Sequence, residues 1–382
     1  MTTLSFRRTA DAVPATRAGA SARAGEREGW EPIRYLAPNW FAVVMGTGII
    51  ANAAATLPLQ FVGLRAAATV VWGLASVILI VLAGAWVLHW RRYPDEARGH
   101  GMHPIMMQFY GAVPMALMTV GAGTLMLGKD VIGLTAALTV DWVLWSAGTV
   151  FGLLTAASIP YRMITRHSFD PDSAFGGWLM PVVPPMVSAA LGALLVPYAP
   201  EGQARLTMFV LCLAMFGLSL IAALVTITLI WSRLLHHGLP PVGMVATVWL
   251  VLGPLGQGVT ASGALANVAP TVFDQDQATG LQVFSMLFGI PAWGFAMLWL
   301  VLAIAVTWHA RKSMPFNLTW WGFTFPLGCC VTGSTALYQH TGANLFAVTA
   351  VTLYALLVAA WAVVAAKTVR GIMVGTLLRP AR

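Results

Sequence analysis

Two neighbouring apolar stretches decide the fold of this chain: AAATVVWGLASVILIVLAGAWVLH (residues 66–89) and PIMMQFYGAVPMALMTVGAGTLML (residues 104–127). Each is long enough to cross a bilayer as a helix, which takes about 20 apolar residues. The first is smooth, whereas Pro114 and several glycines interrupt the second. In lipid, a broken helix is tolerated where it is buried in protein or lines a water-filled cavity. The pair therefore predicts one helix that faces lipid and one that faces the interior.

The same alternation runs along the whole chain. The odd-numbered stretches begin about 70 residues apart, and such a fixed period indicates a repeated unit. We therefore predict an all-α polytopic membrane protein whose ten transmembrane helices form five helical hairpins around a central pore. The predicted spans are 39–57, 66–89, 104–127, 134–159, 177–198, 206–231, 241–267, 280–307, 318–337 and 343–367.

Breaks in the odd spans are predicted to lie at similar depth. Proline removes an N–H and clashes with the preceding turn, so it kinks a helix. A path lined by broken helices is one interpretation; the alternative is that small residues merely allow close helix packing. The interrupting residues are Gly46-Thr47-Gly48, Pro114, Pro181 with Pro184 and Pro185, Gly253-Pro254 with Gly256, and Pro326 with Gly328.

Composition and charge agree with a membrane protein. Only 9% of the 382 residues are charged, against about 25% in soluble proteins, and the mean hydropathy is +0.78. Of the 21 Lys and Arg residues, only Arg65, Lys129 and Arg205 fall on one side of the predicted membrane. Positive residues collect on the cytoplasmic side, which predicts that both termini lie in the cytoplasm. The expected location of this multi-pass protein is the plasma membrane.

The chain divides into three predicted regions. Residues 1–34 are rich in Arg and Ala and are expected to be a disordered cytoplasmic segment. Residues 35–370 form the membrane domain, and residues 371–382 form a cytoplasmic tail. No cofactor and no nucleic-acid partner are predicted; the expected partners are small anions and the lipid bilayer.

Ionisable residues are nearly missing from the predicted spans. Asp141 comes closest to an exception and is expected near the outer end of span 4. Proton-coupled carriers usually keep such groups at depth, and enzymes need them clustered. The pattern therefore argues against a built-in proton relay, a metal site or an enzyme.

The candidate path is neutral. Its polar lining is expected from side chains such as Gln257 and Thr260 and from exposed backbone, although each polar group could instead be satisfied at a helix contact. A neutral path with a positive mouth and no acid ring favours anions. The candidate lining residues are Gly46, Thr47, Gly48, Gln108, Pro114, Pro184, Ser188, Pro254, Gln257, Thr324 and Pro326.

Two motifs carry a family resemblance: NWFAVVMGTGI (39–49) and NLTWWGFTFPLG (317–328), with LMPVVPP (179–185) also fitting. They resemble signatures of the tellurite-resistance/dicarboxylate transporter family, within the slow-type and voltage-dependent anion channel superfamily. That family includes anion channels of plant guard cells, bacterial tellurite-resistance proteins, fungal malate carriers and fungal sulfite efflux pumps. The resemblance covers residues 35–370.

The resemblance implies ten helices in five hairpins, a pore lined by the odd helices, and often a homotrimer. It also implies a pore-gating Phe, at Phe325 or, as the second choice, Phe323. A bulky aromatic in a narrow apolar path can gate by dewetting; alternatively both rings pack between helices. We predict an anion channel or permease for sulfite, other oxyanions or C4-dicarboxylates such as malate. The alternative is a proton-coupled C4-dicarboxylate carrier whose substrate itself carries the proton.

Overall fold

The computed structural model describes residues 33–377. Most of the predicted amino-terminal segment, residues 1–32, and the end of the predicted tail, residues 378–382, lie outside the described residues. Within the described range the chain is helical and contains no strand. The predicted all-α polytopic class is confirmed.

The helices of the bundle follow the predicted spans. Short helices at Pro94–Met102 and Lys129–Ile132 lie in two of the connections. The bundle helices are α1 (Phe41–Thr56), α2 (Leu64–Arg92), α3 (Ala112–Gly123), α4 (Leu134–Arg166), α5 (Pro184–Gly192), α6 (Gln203–His237), α7 (Leu252–Val268), α8 (Gln275–Ala310), α9 (Phe325–Thr341) and α10 (Asn344–Met373).

Seven helical segments in the described range are long and apolar enough to cross a membrane. They comprise α2, α4, α6, α8 and α10, together with the composite segments Met106–Ile132 and Val242–Thr271, which contain α3 and α7. The segments that contain α1, α5 and α9 are shorter or interrupted. Ten crossings therefore stay a prediction.

Burial separates the even helices from the odd ones. In the most apolar part of each even helix only 22–39% of the residues are buried, whereas the share is 89% in Met106–Ile132 and 83% in Val242–Thr271. Nearly all of α1 is buried as well. Smooth apolar helices therefore form an outer layer, and the Pro- and Gly-rich segments form an inner ring.

Each inner segment starts with a 3-10 helix and continues as an α-helix. Pro114, Pro184, Pro254 and Pro326 all lie within the first three residues of their α-helices. Proline is tolerated there because the N–H it lacks would have no intrahelical partner. The 3-10 helices are Pro38–Trp40, Met106–Gly111, Gly176–Leu179, Val242–Val251 and Leu318–Phe323.

The break predicted at Gly46-Thr47-Gly48 is wrong. Helix α1 is continuous from Phe41 to Thr56, because glycine keeps the N–H that proline loses. These glycines allow close contacts instead. A Cβ atom at Gly46 would collide with Trp321 and Thr324 next to α9, and one at Gly48 would meet Thr119 of α3 at 2.8 Å.

Close backbone approaches connect the inner segments. A Cβ atom at Gly111 would collide with the carbonyl oxygen of Met180, and one at Gly176 with that of Thr247. Between α7 and α9, a Cβ atom at Gly256 would lie 2.6 Å from the carbonyl carbon of Cys329. With the contacts of α1 to α3 and α9, these approaches close a ring of five segments.

Polar contacts hold the connections together on two separate faces. On one face, which we call the arginine-rich face, Arg34 pairs with Glu96 at 2.8 Å and Arg162 donates to the Gly101 carbonyl at 2.9 Å. On the opposite face, Arg65 pairs with Asp130. Each of these contacts links residues about 60 positions apart, so it joins neighbouring helical hairpins at one end of the bundle.

Replacing Gly176 by Ala tests the close packing of the ring. We expect Gly176→Ala to lower stability by about 1–3 kcal/mol or to prevent folding, because overpacking forces the backbone apart. The measurement is the thermal unfolding midpoint of the purified protein in detergent.

Gly280→Ala is the matched control, because nothing lies within 4 Å of a Cβ atom at that position of α8. Alanine in an exposed helix is favoured over glycine by about 0.5–1 kcal/mol. Equal unfolding midpoints for the two variants would contradict the tight contact at Gly176.

Candidate functional site

Two cavities lie on the axis of the inner ring. The larger, which we call the polar cavity, has a volume of about 140 Å³ and is lined by the carboxyl-terminal halves of all five inner segments. Its polar side chains are Asn52, Thr56, Thr119, Gln257, Thr260, Asn267, Thr332, Thr335 and Gln339.

The second cavity, the apolar constriction, measures only about 10 Å³. A water molecule needs roughly 10–15 Å³ of such space, so the constriction holds about one water at most. It lies close to the points where the 3-10 helices become α-helices. Its walls are Met45, Met115, Leu179, Met180, Val183, Leu250, Gly253, Pro254, Phe325 and Pro326.

Phe325 lines both cavities. It is the first residue of α9 and is followed by Pro326, whose ring fixes the backbone at the start of the helix. The side chain is 3% exposed. Its ring therefore lies between a polar chamber and an apolar passage, on a backbone with little freedom to move.

Neither cavity is lined by a charged residue of the described chain. Several hydroxyls on the polar cavity are already engaged: Thr260 and Thr332 share a hydrogen bond of 2.7 Å, and Thr119 donates to the Met115 carbonyl at 2.7 Å. Asn52 donates to the Thr119 carbonyl at 3.0 Å. The bonds of Thr260 with Thr332 and of Asn52 with Thr119 join inner helices, whereas the Thr119 hydroxyl bonds within α3.

Three buried polar side chains on the polar cavity keep an uncommitted group. Within the described chain, the Thr335 hydroxyl and the Asn52 Oδ1 atom have no hydrogen-bond partner, and the Gln257 amide forms no side-chain hydrogen bond. The Asn52 oxygen is an acceptor, whereas the Thr335 hydroxyl and the Gln257 amide can donate. The two donors, Thr335 and Gln257, belong to helices that meet at the cavity, α9 and α7. An amide N–H and a hydroxyl are hydrogen-bond donors, so this wall can bind an anion without carrying charge.

Five of the predicted lining or gating residues lie on these cavities. Gln257 and Thr260 line the polar cavity, Pro254 and Pro326 line the constriction, and Phe325 lines both. The prolines were predicted at helix breaks, and the structure brings those breaks together around Phe325.

Other predicted lining residues lie at helix contacts. Thr47 accepts a hydrogen bond of 3.1 Å from the Trp361 indole of α10, and Ser188 accepts one of 3.1 Å from Thr149 of α4. Gln108 donates to the Pro104 carbonyl at 3.2 Å, and Thr324 donates to the Trp321 carbonyl at 2.7 Å.

The glycine and proline residues among the remaining candidates also lie at helix contacts. Gly46 and Gly48 contact the neighbouring inner segments, as described above. Pro114 and Pro184 both lie against Gly152 of α4, where a Cβ atom would meet them at 3.7 and 2.8 Å. These prolines therefore shape the junctions without reaching either cavity.

Phe323 lies apart from the cavities. Its ring packs edge-on against Trp249 at 5.2 Å and Trp320 at 5.6 Å between ring centroids. Phe323 and Phe325 thus have different surroundings, although they are only two positions apart.

Sequence reasoning missed most of the polar cavity. Its residues recur at three- and four-residue steps, as in Ile49, Asn52 and Thr56 or Thr332, Thr335 and Gln339. Polar residues at this spacing share one face of a helix. Plotting the polar positions of the odd spans by helical periodicity would have found them.

Asp141 lies in the first third of α4. It is 1% exposed, and its Oδ1 atom would lie 2.6 Å from a Cβ atom at Gly121 of α3. The residue lines neither cavity. This carboxyl group therefore belongs to the contact between an inner and an outer helix.

Comparisons with known proteins agree with this geometry. Residues 35–369 match the family model described as voltage-dependent anion channel. The chain is 30% identical over 357 residues to a sulfite efflux pump of Arthroderma otae, covering 92% of this chain and 94% of that protein. It is 29% identical to an uncharacterized transporter of Methanocaldococcus jannaschii (91% and 96% covered) and 21% identical to a malic acid transport protein of Schizosaccharomyces pombe (77% and 68%).

Cysteine accessibility tests which residues face the polar cavity. We expect Gln257→Cys and Thr332→Cys to react with a water-soluble thiol reagent, because both positions line that cavity. Thr47→Cys and Ser188→Cys are the controls and should stay unmodified, because both face outer helices. The native Cys212, Cys329 and Cys330 are buried, and the labelling of the wild-type protein gives the background level of modification. The reverse labelling pattern would contradict the assignment.

Proposed function

This chain belongs to the voltage-dependent anion channel family, and we propose that the polar cavity, Phe325 and the apolar constriction form its anion path. The protein is a multi-pass membrane transporter of small anions and not an enzyme. The observation that carries the proposal is the position of Phe325, which lines both cavities on the axis of the ring.

Anion selectivity comes from hydrogen-bond donors rather than fixed charges. Gln257 and Thr335 offer an amide N–H and a hydroxyl to an anion in the polar cavity. Bonds to a charged acceptor are roughly twice as strong as those between neutral groups. With no lysine or arginine in the cavity, an anion is bound weakly enough to leave again, which conduction requires.

The apolar constriction acts as the gate. With room for about one water and no polar side chain, it opposes the passage of a hydrated anion by dewetting. Phe325 supplies the largest side chain on its wall. Movement or removal of that ring would connect the constriction to the polar cavity.

The proposed substrates are sulfite and related oxyanions, with C4-dicarboxylates such as malate as the second class. The support comes from relatives, since the more similar ones include sulfite efflux pumps and a more distant one is a malic acid transport protein. A neutral cavity of about 140 Å³ suits a small anion.

The orientation and assembly are also proposals. We place the arginine-rich face and both termini in the cytoplasm of the cell, with the protein in the plasma membrane, because 18 of the 21 Lys and Arg residues in the sequence fall on that side. A homotrimer is proposed from the family resemblance.

Replacing Phe325 by Ala tests the gate. We expect Phe325→Ala to raise anion conductance by about tenfold or more, because a barrier lowered by about 1.4 kcal/mol speeds passage tenfold. The measurement is the current in planar bilayers with chloride, sulfite and malate in turn.

Phe323→Ala is the matched control, because it removes the same side chain two residues away, from between Trp249 and Trp320. It should reduce thermal stability and leave conductance near wild type. A larger current in Phe323→Ala than in Phe325→Ala would move the gate to Phe323. If neither variant nor wild type carries anion current or flux under any gradient, the proposed function fails.

Asp141→Asn addresses the proton-coupled alternative. We expect this variant to respond to a pH gradient as wild type does, because Asp141 lines neither cavity. Uptake of labelled malate into liposomes is measured with the outer pH fixed, so that substrate protonation stays constant, while the inner pH varies. Loss of the pH response in Asp141→Asn alone would identify a proton site in α4 and favour the carrier.

A further inference from the structure

A third cavity lies on the arginine-rich face, away from the axis. It has a volume of about 480 Å³ and lies between the connection that follows α4 and the connection that precedes α7. It shares no lining residue with the polar cavity or the apolar constriction. We call it the peripheral pocket and define it by Arg233, Trp178, His167 and Asp172.

Arg233 brings a buried cation to this pocket. The residue is 8% exposed, and its Nε and Nη1 atoms donate to the carbonyls of Asp172 and Gly238 at 3.0 and 2.6 Å. Among the described residues no carboxylate lies within ion-pair distance of Arg233, and the exposed carboxylate of Asp172 acts on the guanidinium only from a longer distance. A guanidinium has five N–H donors, so donors remain for a ligand. A buried charge is costly unless it is paired.

Two further nitrogen atoms on the same wall lack acceptors. Nε1 of Trp178 and Nε2 of His167 are buried and have no hydrogen-bond partner in the described part of the chain. Their rings are held by Phe169, at centroid distances of 5.2 Å from Trp178 and 5.8 Å from His167. Buried polar groups are normally hydrogen-bonded, so their combination with a guanidinium that has no ion pair indicates an anionic acceptor.

We propose that the peripheral pocket binds a small oxyanion such as sulfate or phosphate. The guanidinium of Arg233 supplies charge, the indole N–H of Trp178 donates one hydrogen bond, and His167 donates another in the tautomer that has its proton on Nε2. The apolar remainder of the wall, including Phe169 and Phe175, shields these bonds from water.

The peripheral pocket goes beyond the proposed anion path. It is a second anion site, outside the ring, and its binding can be measured without any transport. It nevertheless adjoins the path along the chain, because Trp178 is followed directly by Leu179 and Met180 of the apolar constriction.

The test is binding of radiolabelled sulfate to the purified full-length protein in detergent. We expect Trp178→Phe to weaken binding about tenfold, because it removes one N–H that bonds to a charged acceptor and keeps the ring contact. Arg233→Gln should abolish the binding at the peripheral pocket and leave only the weaker binding proposed for the polar cavity. Trp320→Phe is the matched control, because that indole already donates to the Pro315 carbonyl at 3.0 Å, and it should bind sulfate as wild type does.

Each result decides the proposal. Wild-type affinity in Trp178→Phe would overturn it even if Arg233→Gln fails to fold. Loss of binding in Gln257→Leu, with Trp178→Phe unaffected, would assign the sulfate to the polar cavity and overturn it as well. A competing short-chain phosphatidylglycerol, compared with the matching phosphatidylcholine, distinguishes the sources of the oxyanion: competition by the first alone identifies a lipid headgroup, and no competition identifies a free anion.

Discussion

The close approach of the five inner segments is the constraint on which the rest of the structure depends. At Gly111, Gly176 and Gly256 the backbone of one segment meets the backbone of the next at distances that leave no room for a Cβ atom. Such contacts hold helices together in a membrane, where lipid tails remove the hydrophobic driving force between them. The ring that results is narrow, so side chains fill its axis almost completely at the apolar constriction.

Backbone hydrogen bonding explains why the lining of the axis is apolar at the constriction and polar beyond it. Proline can begin an α-helix after a 3-10 helix without losing an intrahelical bond, and four of the inner segments use it in this way. These junctions place Met, Leu, Pro and Phe side chains around the constriction. Beyond the junctions, regular helices present polar side chains at three- and four-residue steps, so the cavity on that side is polar.

A path without fixed charge has consequences for transport. In a narrow apolar surrounding, a buried lysine or arginine would bind an anion too firmly for rapid release, whereas neutral donors such as Gln257 and Thr335 balance entrance against exit. Most Lys and Arg residues of the described chain lie outside the path, in the connections and at the helix ends, where they are close to solvent. Arg233 is the exception, because it is buried on the arginine-rich face without an ion-pair partner in the described chain.

The sequence by itself determined the membrane class, the alternation of smooth and interrupted helices, the sorting of basic residues, the family, and the neutrality of the path. Composition, period and short motifs carry these properties, and they need no knowledge of rotation about a helix axis. The tertiary structure decided which side chains face that axis. Thr47 and Ser188 looked like pore residues but bond to outer helices, whereas Asn52 and Thr335 were missed. The rotation of each inner helix is set by contacts with two inner and two outer neighbours, so it follows from the packing of the whole ring and not from any one span.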